Sequence, residues 1–262
     1  MSPGSALPYP SDRLAPFRVD HKLHGLRAEI IACGQAPYIQ IPSRVETMIQ
    51  ESFRPHDELF LQLEGYLPSA EDGAHDLSHL QRVWRNAKVI HGIEGGDLEI
   101  LAAAVLLHDC VQVPKDSPLR SRAAALAADQ ARTALKLLQW QPDRIDVVSG
   151  AIESHSYSAG VAPTSLEGSI LQDADRLDAI GYVGIARCFY TAGRMGSALY
   201  HPNQPEPIDR LADDKRFALD HFPKKLLTLC EGFRTPTGKR LAEERHAKLQ
   251  DFYTGMLAEI AR

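Results

Sequence analysis

Between residues 44 and 262, apolar positions recur at three- and four-residue spacing over long stretches, with few strand-like alternations. The spacing predicts helices over residues 44–67 and 75–91. Another covers 97–108, where Asp97 stands in an N-cap position before Ile100, Leu101 and Val105. An alanine-rich helix follows over 119–140, and Pro142, suited to a first helical turn, opens one over 143–154. Helices over 166–181 and 183–192 meet at Gly181, read as a kink or a close packing point. A Gly- and Pro-containing loop spans 193–207, then helices over 209–230, with an interruption near Pro223, and over 237–262 close the pattern. The expected fold class is all-α, and the competing reading is α/β with short strands. Residues 1–43 differ: Pro3, Pro8, Pro10 and Pro16 break any period, and only a short helix around 26–31 is suggested. They read as a loosely ordered extension before a domain over 44–262, whose motif core is 75–192 and whose C-terminal helical part is 208–262.

Composition narrows the function classes. With 29 Lys+Arg against 34 Asp+Glu, the net charge of −5 does not suit a protein that coats a nucleic-acid backbone, so no bulk nucleic-acid partner is expected. A local basic cluster around one small phosphate compound remains compatible with it. Cys33, Cys110, Cys188 and Cys230 are scattered without CxxC spacing, which fits buried thiols in a reducing compartment better than a disulfide framework. No stretch approaches the roughly 20 apolar residues of a membrane span, and the N-terminus lacks a signal-like pattern. The expectation is a cytoplasmic protein with no membrane partner. Self-association as a homodimer is left open.

The histidines and acids carry the chemistry. His75 and His79 lie four apart and would share a helix face. His108-Asp109 ends the apolar run 101–107, where two ionisable groups set against a core need partners. His155 follows a helix end, and Asp173, Asp175 and Asp178 fall within six residues. Imidazoles mixed with carboxylates suit a hard or borderline divalent cation, and two of each leave positions open for water and a phosphate oxygen. The alternative for each residue alone is a core or surface group with local ion pairs. The combination favours an open metal site able to assist hydrolysis.

The sequence around His79 (HLQRV), Leu107-His108-Asp109 and Ala174-Asp175-Arg176-Leu177 resembles the HD superfamily of metal-dependent phosphohydrolases. The longer blocks AHDLSHLQRVW, VPKDSPLRSRAAALAADQA, SHSYSAGVAP, LQDADRLDAIGYVGIAR and DDKRFALDHFPKKLL are similar to small stand-alone bacterial members. The resemblance implies an all-helical HD bundle with additional C-terminal helices, and a divalent ion on His79, His108, Asp109 and Asp175. Mn²⁺ is favoured, with Mg²⁺, Co²⁺, Fe²⁺ or Zn²⁺ as alternatives. It also implies a small phosphorylated substrate, foremost a nucleoside triphosphate hydrolysed to release pyrophosphate. Nucleoside monophosphate hydrolysis, cyclic-nucleotide cleavage and a catalytically weak nucleotide sensor are the alternatives. Many members carry an acid or His three positions after the doublet, where this chain has Gln112. That departure leaves the general base unassigned, weakens a di-iron oxygenase reading and keeps the sensor alive.

Within this frame the expected catalytic groups are Asp178, orienting water or accepting its proton, and His155, contacting phosphate, donating to the leaving oxygen or binding the ion. A surface acid paired with Arg176 or Arg187, and a capping or core His, are the plainer readings of these two. His75 is a candidate to orient a ligand. The expected phosphate-binding cations are Lys115, Arg122, Lys215 and Arg216, with the 193–207 loop as a lid carrying the last two inward. Arg120 reads as a solvated side chain. Tyr157, Tyr182 and Tyr190 could stack on a base, although Tyr at helical spacing is more often core.

Overall fold

Asp97 caps the helix on which the others pack: its carboxylate accepts from the N–H groups of Glu99 and Ile100, both at 3.0 Å. The helix it opens, α4 (Leu98–Leu107), is apolar on every side after Glu99, and every residue from Ile100 to Leu107 is buried. A helix hydrophobic all round must be enclosed. In the computed structural model of the chain, α4 is enclosed by α3 (Leu77–Glu94), α5 (Ala123–Leu137), α6 (Pro142–His155) and α7 (Leu166–Asp178). Arg144 on α6 joins this start, pairing with Asp97 at 2.8 Å and with Glu99 at 2.7 Å. The structure describes residues 44–67, 77–113, 117–156 and 160–261. The extension over 1–43, with its suggested helix near 26–31, lies outside the described residues, as do His75, Lys115 and Tyr157.

Among the described residues there is no named strand, only one isolated bridge between Ala198 and Phe217, so the all-α expectation holds. The stretch expected as one helix over 44–67 is α1 (Arg44–Ser52) and α2 (Asp57–Gln62) with a short 3-10 turn after them. Pro55, between the two, lacks a donor and cannot continue α1. The Phe53 ring stacks on Trp84 of α3 at 5.2 Å, and Trp84 Nε1 donates to the Ser52 carbonyl at 2.9 Å. Pro142 sits in the first turn of α6. Gly181 opens α8 (Gly181–Arg194) at φ +70°, and a Cβ there would press on the Arg245 side chain at 3.2 Å, so it is a close packing point.

The expected helix over 209–230 is the main correction. Residues 209–217 are turns, and helix appears only in pieces: a 3-10 turn Ala218–Asp220, α9 (His221–Lys224) and a second turn Leu226–Thr228. Asp220 causes this. It is fully buried and gathers the Arg210 guanidinium (2.5 and 2.6 Å) and the Asp213 N–H (2.7 Å), which folds the acidic run around itself. Nor is the 193–207 loop a free lid. Ala198 N–H donates to the Arg216 carbonyl at 2.9 Å, Ser197 Oγ to Lys215 at 2.7 Å, and Arg210 to the Gln204 carbonyl at 2.9 Å.

The last helix, α10 (Pro236–Ile260), is tied to α7 by one carboxylate. Buried Asp173 accepts from the Arg234 and Thr235 N–H groups and from Thr235 Oγ1, each at 2.8 Å. A Cβ at Gly238 would collide with that carboxylate. Replacing Asp173 by Ala leaves these donors unsatisfied and should lower the unfolding free energy by about 3 kcal/mol, read by urea denaturation. Gly238→Ala should also destabilise, whereas Gly255→Ala, which meets nothing within 4 Å, should not.

Candidate metal centre

Three imidazoles approach one point from three helices. His79 stands in the first turn of α3, His108 follows α4 as its C-cap, and His155 is the last residue of α6. All three are buried, with Nδ1 turned toward an acceptor. His108 Nδ1 bonds the Val105 carbonyl at 2.8 Å, and His155 Nδ1 bonds the Ile152 carbonyl at 2.6 Å. Each is an i−3 carbonyl at a helix C-terminus, where the backbone leaves acceptors unused. His79 Nδ1 bonds Asp178 Oδ2 at 2.8 Å. These acceptors place the proton on Nδ1 of each neutral ring and leave Nε2 as a lone pair.

The Nε2 atoms converge with the two remaining acids. His79 Nε2 lies 3.3 Å from His108 Nε2, 3.5 Å from Asp175 Oδ1 and 3.9 Å from Asp109 Oδ2. His108 Nε2 is 3.5 Å from Asp109 Oδ2, and His155 Nε2 is 3.8 Å from Asp109 Oδ1. Two overlapping trios, His79–His108–Asp175 and His108–Asp109–His155, each place their donor atoms within 4.8 Å of one another. Lone pairs facing at 3.3 Å repel unless a cation lies among them. Ligands about 2.1 Å from a shared ion stand about 3 to 3.4 Å apart, so the donor set fits a divalent metal. The C-terminal ends of α4 and α6 add negative potential at the same place.

The electrostatics agree. Burial works against a charged His108, but the carboxylates of Asp109 and Asp175 and the Val105 carbonyl outweigh it and raise its pKa. The potential that draws a proton to His108 is the one a cation would replace. Burial and the neighbouring His108 charge hold His155 below the ordinary histidine value. The side chains of Asp109 and Asp175 remain 32% and 30% exposed while the imidazoles are covered, so the site opens to solvent on its carboxylate side.

Asp178 sits behind the site. Besides His79 it holds Arg82 through Nε at 2.6 Å and Arg187 at 2.7 Å. Burial would raise its pKa, but bonds from His79 and Arg82 and the charge of Arg187 hold it far below the carboxylate range. A carboxylate so engaged is a weak proton acceptor, and it faces the back of the His79 ring. The pairing with Arg187 is therefore real, but in a buried cluster rather than at the surface. Arg82 and Arg245 received no role from the sequence. For Arg82 the signal was spacing, since it lies one turn after His79 on α3, whereas nothing local marks Arg245 on α10. Arg245 donates to the Leu177 carbonyl and to Asn86 Oδ1 (2.8 Å), while Asn86 Nδ2 donates to the Ala174 carbonyl at 2.9 Å, bracing α7 on both sides of Asp175.

The expected phosphate-binding cations among the described residues are on the surface. Arg122 is exposed in the 3-10 turn Arg120–Arg122. Lys215 and Arg216 are exposed in a turn, with Arg216 lying 5.3 Å over the Phe217 ring. Arg120 Nη1 donates to the Val113 carbonyl at 2.9 Å, and Gln112 is exposed. Tyr182 and Tyr190 are surface residues rather than core, 68% and 46% exposed. Burial pushes the Cys110 thiol up to about 12, so it is no nucleophile despite following the doublet.

An all-helical bundle with His, His-Asp and Asp converging from separate helices is the arrangement of an HD domain, and the HD family model matches residues 76–180. The protein YpgQ of Bacillus subtilis is 36% identical over 186 residues, which is 70% of this chain and 82% of YpgQ. The chain belongs to the HD family of metal-dependent phosphohydrolases. Among solved structures, an HD-superfamily hydrolase of Bacillus thuringiensis superposes with a TM-score of 0.57 at 30% identity, covering 82% of this chain and 97% of that one. The crystal structure of Bacillus subtilis YpgQ in complex with ADP gives the same TM-score and coverage at 29% identity. Among the described residues, no helix is long and apolar enough to cross a membrane.

If Asp178 orients His79, Asp178→Asn should weaken Mn²⁺ or Co²⁺ binding about 10- to 100-fold in calorimetric titration. Unchanged affinity in a folded variant would remove that role.

Proposed function

We propose that the chain hydrolyses nucleoside triphosphates to the monophosphate and pyrophosphate, using a divalent ion held by His79, His108, Asp109 and Asp175. The observation that carries this reading is the convergence of Nε2 lone pairs and partly exposed carboxylates, with the imidazole tautomers set by Nδ1 acceptors. A bound ion supplies Lewis acidity toward a phosphoryl oxygen and toward water. A nucleotide as the substrate class is supported by the relative YpgQ, whose structure was solved with ADP. Mn²⁺ is the favoured ion.

The protein's own groups then divide the work. Asp109 and Asp175 face the open side, so the substrate enters over them and the imidazoles form the inner wall. His155 presents Nε2 beside Asp109 as an acceptor, which suits it to orient the attacking water or to join the ligands. In its neutral form it has no proton on Nε2 to donate to a leaving oxygen. Asp178 is a positioning residue that acts through His79. The exposed cations Arg122, Lys215 and Arg216, together with Lys115, are proposed contributors to phosphate binding. A second reading, a nucleotide-binding sensor, is favoured by Gln112 standing exposed where an acid would assist turnover.

Metal-stripped protein resupplied with Mn²⁺, Mg²⁺ or Co²⁺ should release pyrophosphate and nucleoside monophosphate from triphosphates. Turnover should fall at least 100-fold in His108→Ala and Asp175→Ala. Phosphate released from monophosphates instead would keep the site and change the substrate. Nucleotide binding without turnover under every metal would establish the sensor.

A further inference from the structure

A second concentration of charge adjoins Asp178, apart from the imidazole cluster. A half-open cavity of about 380 Å³ is bounded there by Arg82, Arg85 and Asn86 of α3, by Arg245 and Lys248 of α10, and by the start of α8. Four cationic side chains thus line one cavity of a chain whose net charge is −5, and Asp178 is the one carboxylate on its wall. Asp178 is already shared among His79, Arg82 and Arg187, and its charge, with that of Glu244, also acts on Arg245, so one wall carboxylate is set against four cations. Arg245 donates to the neutral oxygens of Leu177 and Asn86. Arg85 and Lys248 stand exposed at the rim, with the Lys248 ammonium 5.4 Å over the exposed Tyr182 ring. None of His79, His108, Asp109, His155 or Asp175 lines this cavity.

Four cations held against largely uncharged walls form a receptor for a compact anion bearing several negative charges. Gly181, Tyr182 and Val183, the first turn of α8, line the same wall, and the start of a helix favours the same charge. The volume accommodates a diphosphate group, and Tyr182 offers an aromatic face beside it.

We infer that this cavity is a second anion site, separate from the metal centre, which binds a diphosphate group either as free pyrophosphate or as part of a nucleoside diphosphate. The site does not depend on which phosphate compound the metal centre hydrolyses. Arg82 belongs to both its wall and the Asp178 cluster, so an occupant touches a residue that holds Asp178, which in turn braces His79.

The test is a titration of full-length protein in EDTA, which removes the metal centre as a phosphate receptor, with inorganic pyrophosphate in one arm and ADP in the other. Calorimetry gives the affinity, and ¹⁵N-labelled protein reports the backbone amides. Pyrophosphate should bind in EDTA and shift the Gly181, Tyr182 and Val183 amides. Arg85→Ala/Lys248→Ala should weaken binding at least tenfold, and His108→Ala should leave it within about twofold. Tighter binding of ADP than of pyrophosphate, lost on Tyr182→Ala, would identify the nucleotide as the occupant, and equal affinities would identify the diphosphate alone. Binding that survives Arg85→Glu/Lys248→Glu, or that vanishes in EDTA or in His108→Ala, would overturn the proposal. Shifts confined to amides around Asp109 and His155 would do the same.

Discussion

Everything at the centre depends on where three protons sit. Each of the three imidazoles can coordinate or repel, according to which ring nitrogen carries hydrogen, and the surrounding fold decides this by placing an acceptor behind each one. At His108 and His155 the acceptor is a helix's own unused carbonyl, so ending α4 and α6 at those residues satisfies the backbone and orients the ring together. His79 stands at a helix start, where no spare carbonyl is available, and there the acceptor is a side chain, Asp178. That substitution has a structural cost. A buried carboxylate needs compensating charge, and Arg82 and Arg187 supply it.

The scaffold follows from the same demand. Helices that deliver side chains at their ends must have those ends held still. Beyond its first turn α4 is wholly apolar and gives its neighbours a common surface, while the cap at Asp97 and the arginine of α6 fix where it begins. α7 is held more tightly still. Asp173 points one way to clasp the start of α10, and Asp175, two residues on, points to the imidazoles. Asn86 and Arg245 hold the backbone between and beyond them. The C-terminal helix is thus part of the support of the centre.

How much of this could be read from the chain depended on distance in sequence. Caps and periods are local, so the cap at Asp97, the proline start of α6 and the enclosed helix before His108 were legible. The residues that gather at the centre were legible because their types and spacing resemble a known pattern. The loop around Asp220 was not, since residues 209–230 have a passable helical pattern, and only the burial of one acid, with Arg210 drawn onto it, defeats that pattern. The burial of Asp178 was hidden for a similar reason: a run of Asp, Arg, Leu and Asp looks the same on a wet helix face as between two packed helices. The cation-lined cavity was the least legible, because Arg82, Tyr182 and Lys248 come from segments far apart in the chain.

The donors at the centre span from His79 to Asp175, and they hang on three separate helices and on the end of a fourth. An ion on His79, His108, Asp109 and Asp175 would therefore be a cross-link as well as a reagent, fastening α3, the end of α4 and α7 at one point in the folded chain alone. Mass action then makes the durability of the fold a property of the medium. At free metal 100 times the dissociation constant, the folded state gains about 2.7 kcal/mol, and a chelator withdraws it. A cell short of the ion would hold less folded protein as well as less active protein.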